Sequence, residues 1–280
     1  MSSKSFPPDV KEKAISILGW PTDVVSVDYC SRDSPSNTSD WPRPDFPRTV
    51  LIFIPGNPGC IGWYTPNLVE LVTRLGQGFA ARGLSYAGHG TNEEIIDVQR
   101  WIHSKERDTN IPWTVNGQIR HKVAYMDMLM SEFQDQGDDQ PQFIFVSHSI
   151  GSHMVQRLLI LRPDILERTV MNVQLMPFTR MDAPRLKQIL LDLGASSPGT
   201  LIGVTQRILQ VLKFMPYEWV DCVMKSTLDD EAGRTLAVRL VRQPLFARNF
   251  FELGTEEIRD VPREVDVSLF HALRASAIGY

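Results

Sequence analysis

The sequence predicts an α/β fold, a mostly parallel sheet with helices on both faces. Three observations lead there. Residues 49–54 and 143–146 are unbroken apolar runs of strand length, the pattern of strands covered on both faces, and 169–176 reads as a third strand. Stretches with apolar residues at three- and four-residue spacing lie between them. The loops after the first two runs are rich in Gly, Pro and Ser.

Taken in order, Val24–Tyr29 reads as a short strand, and 31–48 (SRDSPSNTSDWPRPDFPR) as a Pro/Ser/Asp-rich loop. Thr49–Ile54 is the first fully apolar strand. Residues 66–82 carry Leu68, Leu71, Val72, Leu75 and Phe79 at helical spacing, with Gly83 as the stop. Residues 117–134 repeat the pattern with Val123, Met126, Met130 and Phe133. After the strand at Phe143–Val146, Met154, Leu158 and Leu161 give the next helix its buried stripe, closed by Pro163. Thr169–Met176 is a further strand. From about Arg180 to Leu253 the alternation ceases and the chain reads helical, as does 255–274 around an interruption at Pro262.

The 280 residues are 42% apolar and 22% charged, enough to bury a core without disulfides or metals. This excludes a collagen-like repeat or a coiled coil. With 29 basic and 33 acidic residues the net charge is −4, and no basic surplus exists to hold a phosphate backbone. A nucleic-acid partner is therefore not expected. The three cysteines, Cys30, Cys60 and Cys222, stand in no CxxC spacing, which points to a reducing compartment and no metal site. The first residues carry no apolar stretch behind Lys4, so no signal peptide is expected. The long uncharged run between Arg48 and Glu70 holds three prolines and three glycines, so it cannot span a membrane as a helix. No cofactor is implied.

The most informative stretch is Phe143-Ile-Phe-Val-Ser-His-Ser-Ile-Gly151. A strand runs straight into Ser147-His148-Ser149-Ile150-Gly151 and then a helix, the context of a nucleophile elbow. Such a turn needs small residues two positions either side of the nucleophile; Gly151 is one and Ser147 the other. Ser149 is then the nucleophile, and the Ile150 N–H, at a helix N-terminus, an oxyanion donor. The alternative is a serine that merely N-caps the helix. Pro55-Gly56-Asn57-Pro58-Gly59 follows the strand at 49–54, where this architecture places its other oxyanion donor; Asn57 is the candidate, and a plain Pro/Gly turn is the alternative. His89, in Gly88-His89-Gly90, precedes Ser149, against the order Ser, acid, His, so it reads as structural or site-lining. Serine at the elbow also disfavours a dehalogenase, which needs aspartate there.

Leu51-Ile-Phe-Ile-Pro-Gly-Asn-Pro-Gly59 with Gly62-Trp-Tyr64 resembles the signature of lipid droplet-associated hydrolases. Gly83-Leu-Ser-Tyr-Ala-Gly-His89 is similar to a second motif of that family. Asn116-Gly-Gln-Ile-Arg-His-Lys122 with Ala124-Tyr125 resembles its Gln-x-x-His-Lys helix start, and Ser147–Gly151 its Gly-His-Ser-Ile-Gly elbow. The resemblance implies an α/β-hydrolase with a serine nucleophile. It also implies residence on lipid droplets and the endoplasmic reticulum at their cytosolic face, and neutral-lipid or sterol-ester substrates. On that reading residues 1–280 form one α/β-hydrolase domain, and 180–253 are a helical cap inserted in it.

Within the cap, Leu201, Val204, Ile208, Val211 and Met215 form a stripe stopped by Pro216, with Ile202, Leu209, Leu212 and Phe214 widening it. Tyr217, Trp219, Val220 and Val223 continue beyond the proline. The stripe either packs on the core as a lid or docks peripherally on a phospholipid monolayer. A serine esterase also needs a base and an orienting acid. After Ser149 only His153 and His271 remain as histidines. His153 lies one turn into the elbow helix and reads as packing or surface. Asp266 and His271 satisfy the chain order but sit on one helical stretch with the wrong spacing. The family comparison puts both triad partners beyond Tyr280, so the last sheet strands are expected to be missing from this chain. The competing reading is a non-catalytic droplet-surface protein that keeps the elbow without the triad.

Overall fold

A computed structural model describes residues 8–28, 49–91, 114–135, 141–178, 198–226, 228–243 and 246–261. Among these residues six strands form one open sheet: β1 (Asp9–Ile17), β2 (Trp20–Asp28), β3 (Thr49–Ile54), β4 (Phe79–Leu84), β5 (Gln142–His148) and β6 (Thr169–Leu175). Their spatial order is β1-β2-β4-β3-β5-β6. β1 and β2 pair antiparallel, as do β2 and β4; the remaining neighbours are parallel. The expected mostly parallel sheet is present.

β3 explains why its sequence is apolar at every position. Val50, Ile52 and Ile54 join one buried cluster, while Leu51 and Phe53, pointing the other way, join a second. The first cluster is closed by α2 (Val115–Asp135) and α3 (Ile150–Leu161), through Met126, Leu129, Phe133, Met154 and Leu158. The second is closed by α1 (Thr65–Leu75) through Leu68 and Val72. The chain steps from β3 to β4 on one side and to β5 on the other. The loops after β3 and β5 therefore diverge from a crevice at the carboxyl edge, the switch point where such sheets carry their sites.

Several boundaries differ from the sequence reading. The stretch 66–82 is not one helix: α1 ends at Leu75, Gly76 takes φ +80, and Phe79, placed in the helical stripe, opens β4. Two glycines at positive φ, Gly76 and Gly78, provide that break. Leu161 is not in the buried stripe of α3 but 54% exposed, and Pro163 starts a further short helix, α4 (Pro163–Glu167), as an N1 proline does. β1 escaped the sequence reading because Asp9, Lys11, Glu12 and Lys13 hide its alternation; it is an edge strand, mostly exposed. Beyond β6, four helices are described: α5 (Pro198–Phe214), α6 (Tyr217–Lys225), α7 (Glu231–Val241) and α8 (Phe246–Asp260). The helix expected over 255–274 thus begins earlier, at Phe246. Residues 262–280, with Asp266 and His271, lie outside the described residues.

Two of these helices return to the carboxyl edge of the sheet. On α7, Leu236 meets Gly62, where a Cβ would come within 3.0 Å of its side chain, and the Trp63 indole N–H donates to Gly233 O (3.4 Å). On α8, Asn249 Nδ2 donates to Gly88 O (2.5 Å) and Leu253 enters the core.

Candidate active site

β5 ends at His148 and α3 begins at Ile150, so Ser149 alone makes the turn. It does so at φ +51 and ψ −126, a conformation an L-residue adopts only where its surroundings impose it, at a cost of about 1–3 kcal/mol. The surroundings are visible. Ser149 N–H donates to Leu175 O at the end of β6, and Phe178 N–H returns to Ser149 O, each at 3.0 Å. The Ser149 side chain makes no capping hydrogen bond, so capping does not explain the residue.

Its flanks are as tight as the turn requires. A Cβ on Gly151 would overlap Pro55 O and lie 2.6 Å from Ile54 O, because α3 starts directly against the end of β3. Ser147, fully buried, fits where the motif ordinarily has glycine, and its hydroxyl donates to Ser152 Oγ at 3.1 Å, bracing the turn across its base.

The Pro55–Gly59 loop lies against this elbow. A Cβ on Gly56 would be 2.9 Å from Ser149 Cβ and 2.8 Å from His148 Nδ1. Gly59 N–H donates to Gly56 O at 2.6 Å, turning the Gly56–Asn57 carbonyl into the loop. In a trans peptide the N–H points the opposite way, so the Asn57 N–H faces outward. Among the described residues no acceptor takes the Asn57 or the Ile150 N–H, the latter being one of the free donors of a helix start.

The Asn57 side chain is held elsewhere. Its Nδ2 donates to Phe250 O (3.3 Å) on α8, and it hydrogen-bonds the Glu257 carboxyl. Burial pushes Glu257 up to about 8, with the Asn57 bond drawing it partly back. Glu257 therefore holds its proton at neutral pH. Among the described residues neither Asn57 Oδ1 nor Glu257 Oε1, both enclosed, has a hydrogen-bond partner. Nothing in the sequence pattern marks Glu257; one of many acidic residues on a helix gives no sign that it will face inward.

Each described histidine has other engagements. His148 Nδ1 lies 3.0 Å from Tyr64 Oη, whose hydroxyl burial pushes up. His89 is buried on the loop after β4, with Nδ1 2.5 Å from Pro58 O. His121 is fully buried beside Thr22 and Lys122. His153 is buried on α3, where desolvation first, and then the Arg157 charge, lower its pKa. No described histidine is hydrogen-bonded to Ser149, and no described group of His, Cys, Asp and Glu could hold a metal ion.

Comparison with known proteins agrees with the architecture. The epoxide hydrolase of Vigna radiata superposes with TM-score 0.50 at 14% identity, over 89% of this chain and 73% of that one. The haloalkane dehalogenase DatA of Agrobacterium tumefaciens superposes with TM-score 0.51 at 15% identity, over 95% and 74%. The fold is that of the α/β-hydrolases. Lipid droplet-associated hydrolase of Homo sapiens is 26% identical over 124 residues, 42% of this chain and 35% of that protein. Its Gallus gallus counterpart is 24% identical over 149 residues, 51% and 43%. The chain thus matches less than half the length of these curated relatives. The sequence profile described as lipid-droplet associated hydrolase covers residues 47–278, most of the chain, which accordingly belongs to that family.

Proposed function

We propose that the chain is a serine hydrolase of lipid esters, with sterol esters among the candidate substrates. The observation that carries this is Ser149 itself, held at a strained backbone angle between strand and helix with its hydroxyl in no capping bond. In this reading Ser149 Oγ attacks the ester carbonyl carbon, and the carbonyl π electrons move to oxygen as the tetrahedral intermediate forms. The Ile150 and Asn57 N–H groups hold that oxyanion, each such donor contributing about 10²–10³-fold to turnover. The acyl-enzyme forms as the alcohol leaves with a proton, and water then releases the acid. The proton relay needs a base and an acid; Asp266 and His271 remain the candidates of this chain, outside the described residues.

The Pro-interrupted helices at 198–224 supply the lipid contact in this proposal, as part of a cap over the domain. Val204, Ile208 and Val211 recur at helical spacing on the exposed face of α5, which ends in Phe214, 88% exposed. Beyond Pro216, Trp219 (64% exposed) and Val223 continue the apolar face on α6. Leu209, Leu212 and Met215 are half-buried instead, so the packed side of α5 and its apolar exposed side are distinct. Among the described residues no helix is long and apolar enough to cross a membrane, so contact with a droplet monolayer or the cytosolic face of the endoplasmic reticulum is peripheral in this reading.

One observation favours a second reading, a droplet-surface protein without catalysis: no described histidine reaches Ser149. A fluorophosphonate probe separates the two. Labelling of the chain that disappears in Ser149→Ala supports the hydrolase; a folded chain that takes no label supports the other.

A further inference from the structure

The Gln-x-x-His-Lys start of α2 lies on the buried side of that helix. Lys122 is 1% exposed, and among the described residues no carboxylate partners it. Its Nζ has three polar partners: Ser85 O (3.3 Å), Gln118 Oε1 (3.2 Å) and His121 Nδ1 (3.2 Å). Burial pushes the Lys122 amine well below the usual lysine pKa, and these hydrogen bonds are what hold it in place. His121 can accept at Nδ1 because its Nε2 lies 2.7 Å from Thr22 Oγ1, which itself donates to Trp20 O (3.3 Å). That tautomer gives each polar atom of the chain a role. An apolar side chain of the same length would fill the volume but make none of these hydrogen bonds, so packing alone does not account for a lysine here.

What Lys122 touches leads to the candidate oxyanion loop. Gln118 takes both polar groups of Ala87, accepting from its N–H (3.0 Å) and donating to its O (3.2 Å). Lys122 Nζ sits 4.4 Å from the centroid of the Tyr86 ring. Tyr86 Oη donates to Pro55 O at 2.6 Å, Tyr86 N–H donates to Gly59 O at 2.8 Å, and a Cβ on Gly59 would overlap the Tyr86 ring. His89 Nδ1 meets Pro58 O. The segment 85–89 thus grips both ends of Pro55–Gly59, and α2 grips the segment.

We propose that Lys122 is a positioning residue for that loop: it fixes the 85–89 segment and, through the Tyr86 ring and hydroxyl, sets where the Gly56–Asn57 peptide lies relative to Ser149. The proposal rests on the serine-hydrolase reading for its catalytic half, while the clamp itself has an independent readout.

The test uses the whole chain with Lys122→Met, Tyr86→Phe and the double variant. In the fluorophosphonate reaction each single variant lowers the maximal labelling rate about tenfold or more, with the half-saturating probe concentration unchanged. The double variant is no slower than the slower single, because both act on one linkage. In amide hydrogen exchange, a peptide spanning 55–60 exchanges about tenfold faster in either single variant, while α3 keeps its wild-type rate. Labelling of Lys122→Met within twofold of wild type, or a double variant that falls by the product of the singles, overturns the proposal. A wild-type chain that takes no label overturns the hydrolase reading instead. The exchange of 55–60 then decides the clamp alone, the wild-type rate in Lys122→Met refuting it and faster exchange upholding it. Tyr86→Phe keeps the ring and loses one hydroxyl, so it carries the test if Lys122→Met does not fold.

Discussion

Ser149 is strained, and what maintains the strain is a set of contacts that leave no room for a methyl group. Gly56→Ala puts a Cβ within 2.9 Å of Ser149 Cβ and 3.2 Å of His148 O, atoms fixed by the sheet and the elbow, so the loop must move. Overpacking of this kind costs about 1–3 kcal/mol. At this chain length the melting temperature falls by roughly 2–10 °C. In the proposed mechanism fluorophosphonate labelling falls further than stability does, because the displaced peptide carries the Asn57 donor. Glu257 gives a second prediction. Its folded-state pKa of about 8 lies above the ordinary value of 4.5, so the native chain holds a proton that the unfolded chain has released. The favourable contribution of the neutral acid is complete below the unfolded pKa and is lost as pH rises through about 8. Glu257→Gln, which cannot ionise, therefore raises the melting temperature more at pH 8.5 than at pH 5; an equal gain at both refutes this. Ser149, Ile150 and Gly151 were legible because a sharp turn dictates residue types at fixed offsets. Glu257 was not, since its inward orientation is decided by where α8 lands. Lys122 is intermediate: Val115, Ile119, Lys122, Met126, Leu129 and Phe133 share one helical face, so the lysine stands in an apolar stripe.

At the scale of elements, the strands with apolar residues at every position were found almost to the residue, and the charged edge strand β1 was missed. Burial on both faces leaves its mark on every position, whereas an edge is allowed polar residues that blur the alternation. The stripe on α5 was legible as a stripe, but its direction was not. Periodicity identifies an apolar face without saying whether protein or lipid covers it. Phe214→Glu and Trp219→Glu together test the lipid assignment. Both side chains are exposed, so the melting temperature stays within about 1 °C of wild type, as surface changes do. Flotation with triolein droplets coated in phosphatidylcholine falls several-fold. Unchanged flotation refutes the assignment.

The whole molecule is asymmetric at its sheet edges. Among the described residues β1 ends the sheet with charged residues, whereas β6 ends it on Thr169-Val-Met-Asn-Val-Gln-Leu175, which carries no charge. Val170, Met171, Leu175 and Met176 are exposed there. Such an edge invites pairing with another strand. Met171→Lys slows the growth of light scattering in the purified chain at 37 °C, and the same substitution at exposed Met128 on α2 leaves it unchanged; equal effects at both sites refute the edge as the cause.

The bond from Asn57 to Phe250 crosses 193 residues. On a ribosome adding roughly 5–20 residues per second, the loop emerges some 10–40 s before its partner helix. During that interval the Asn57 side chain has no α8 to hold it. In a nascent or prematurely terminated chain without α8, the Asn57 side chain lacks its Phe250 partner, so the proposed oxyanion loop is unfinished. In the proposed mechanism, synthesis order then acts as a safety catch: competence arrives only when translation has passed α8.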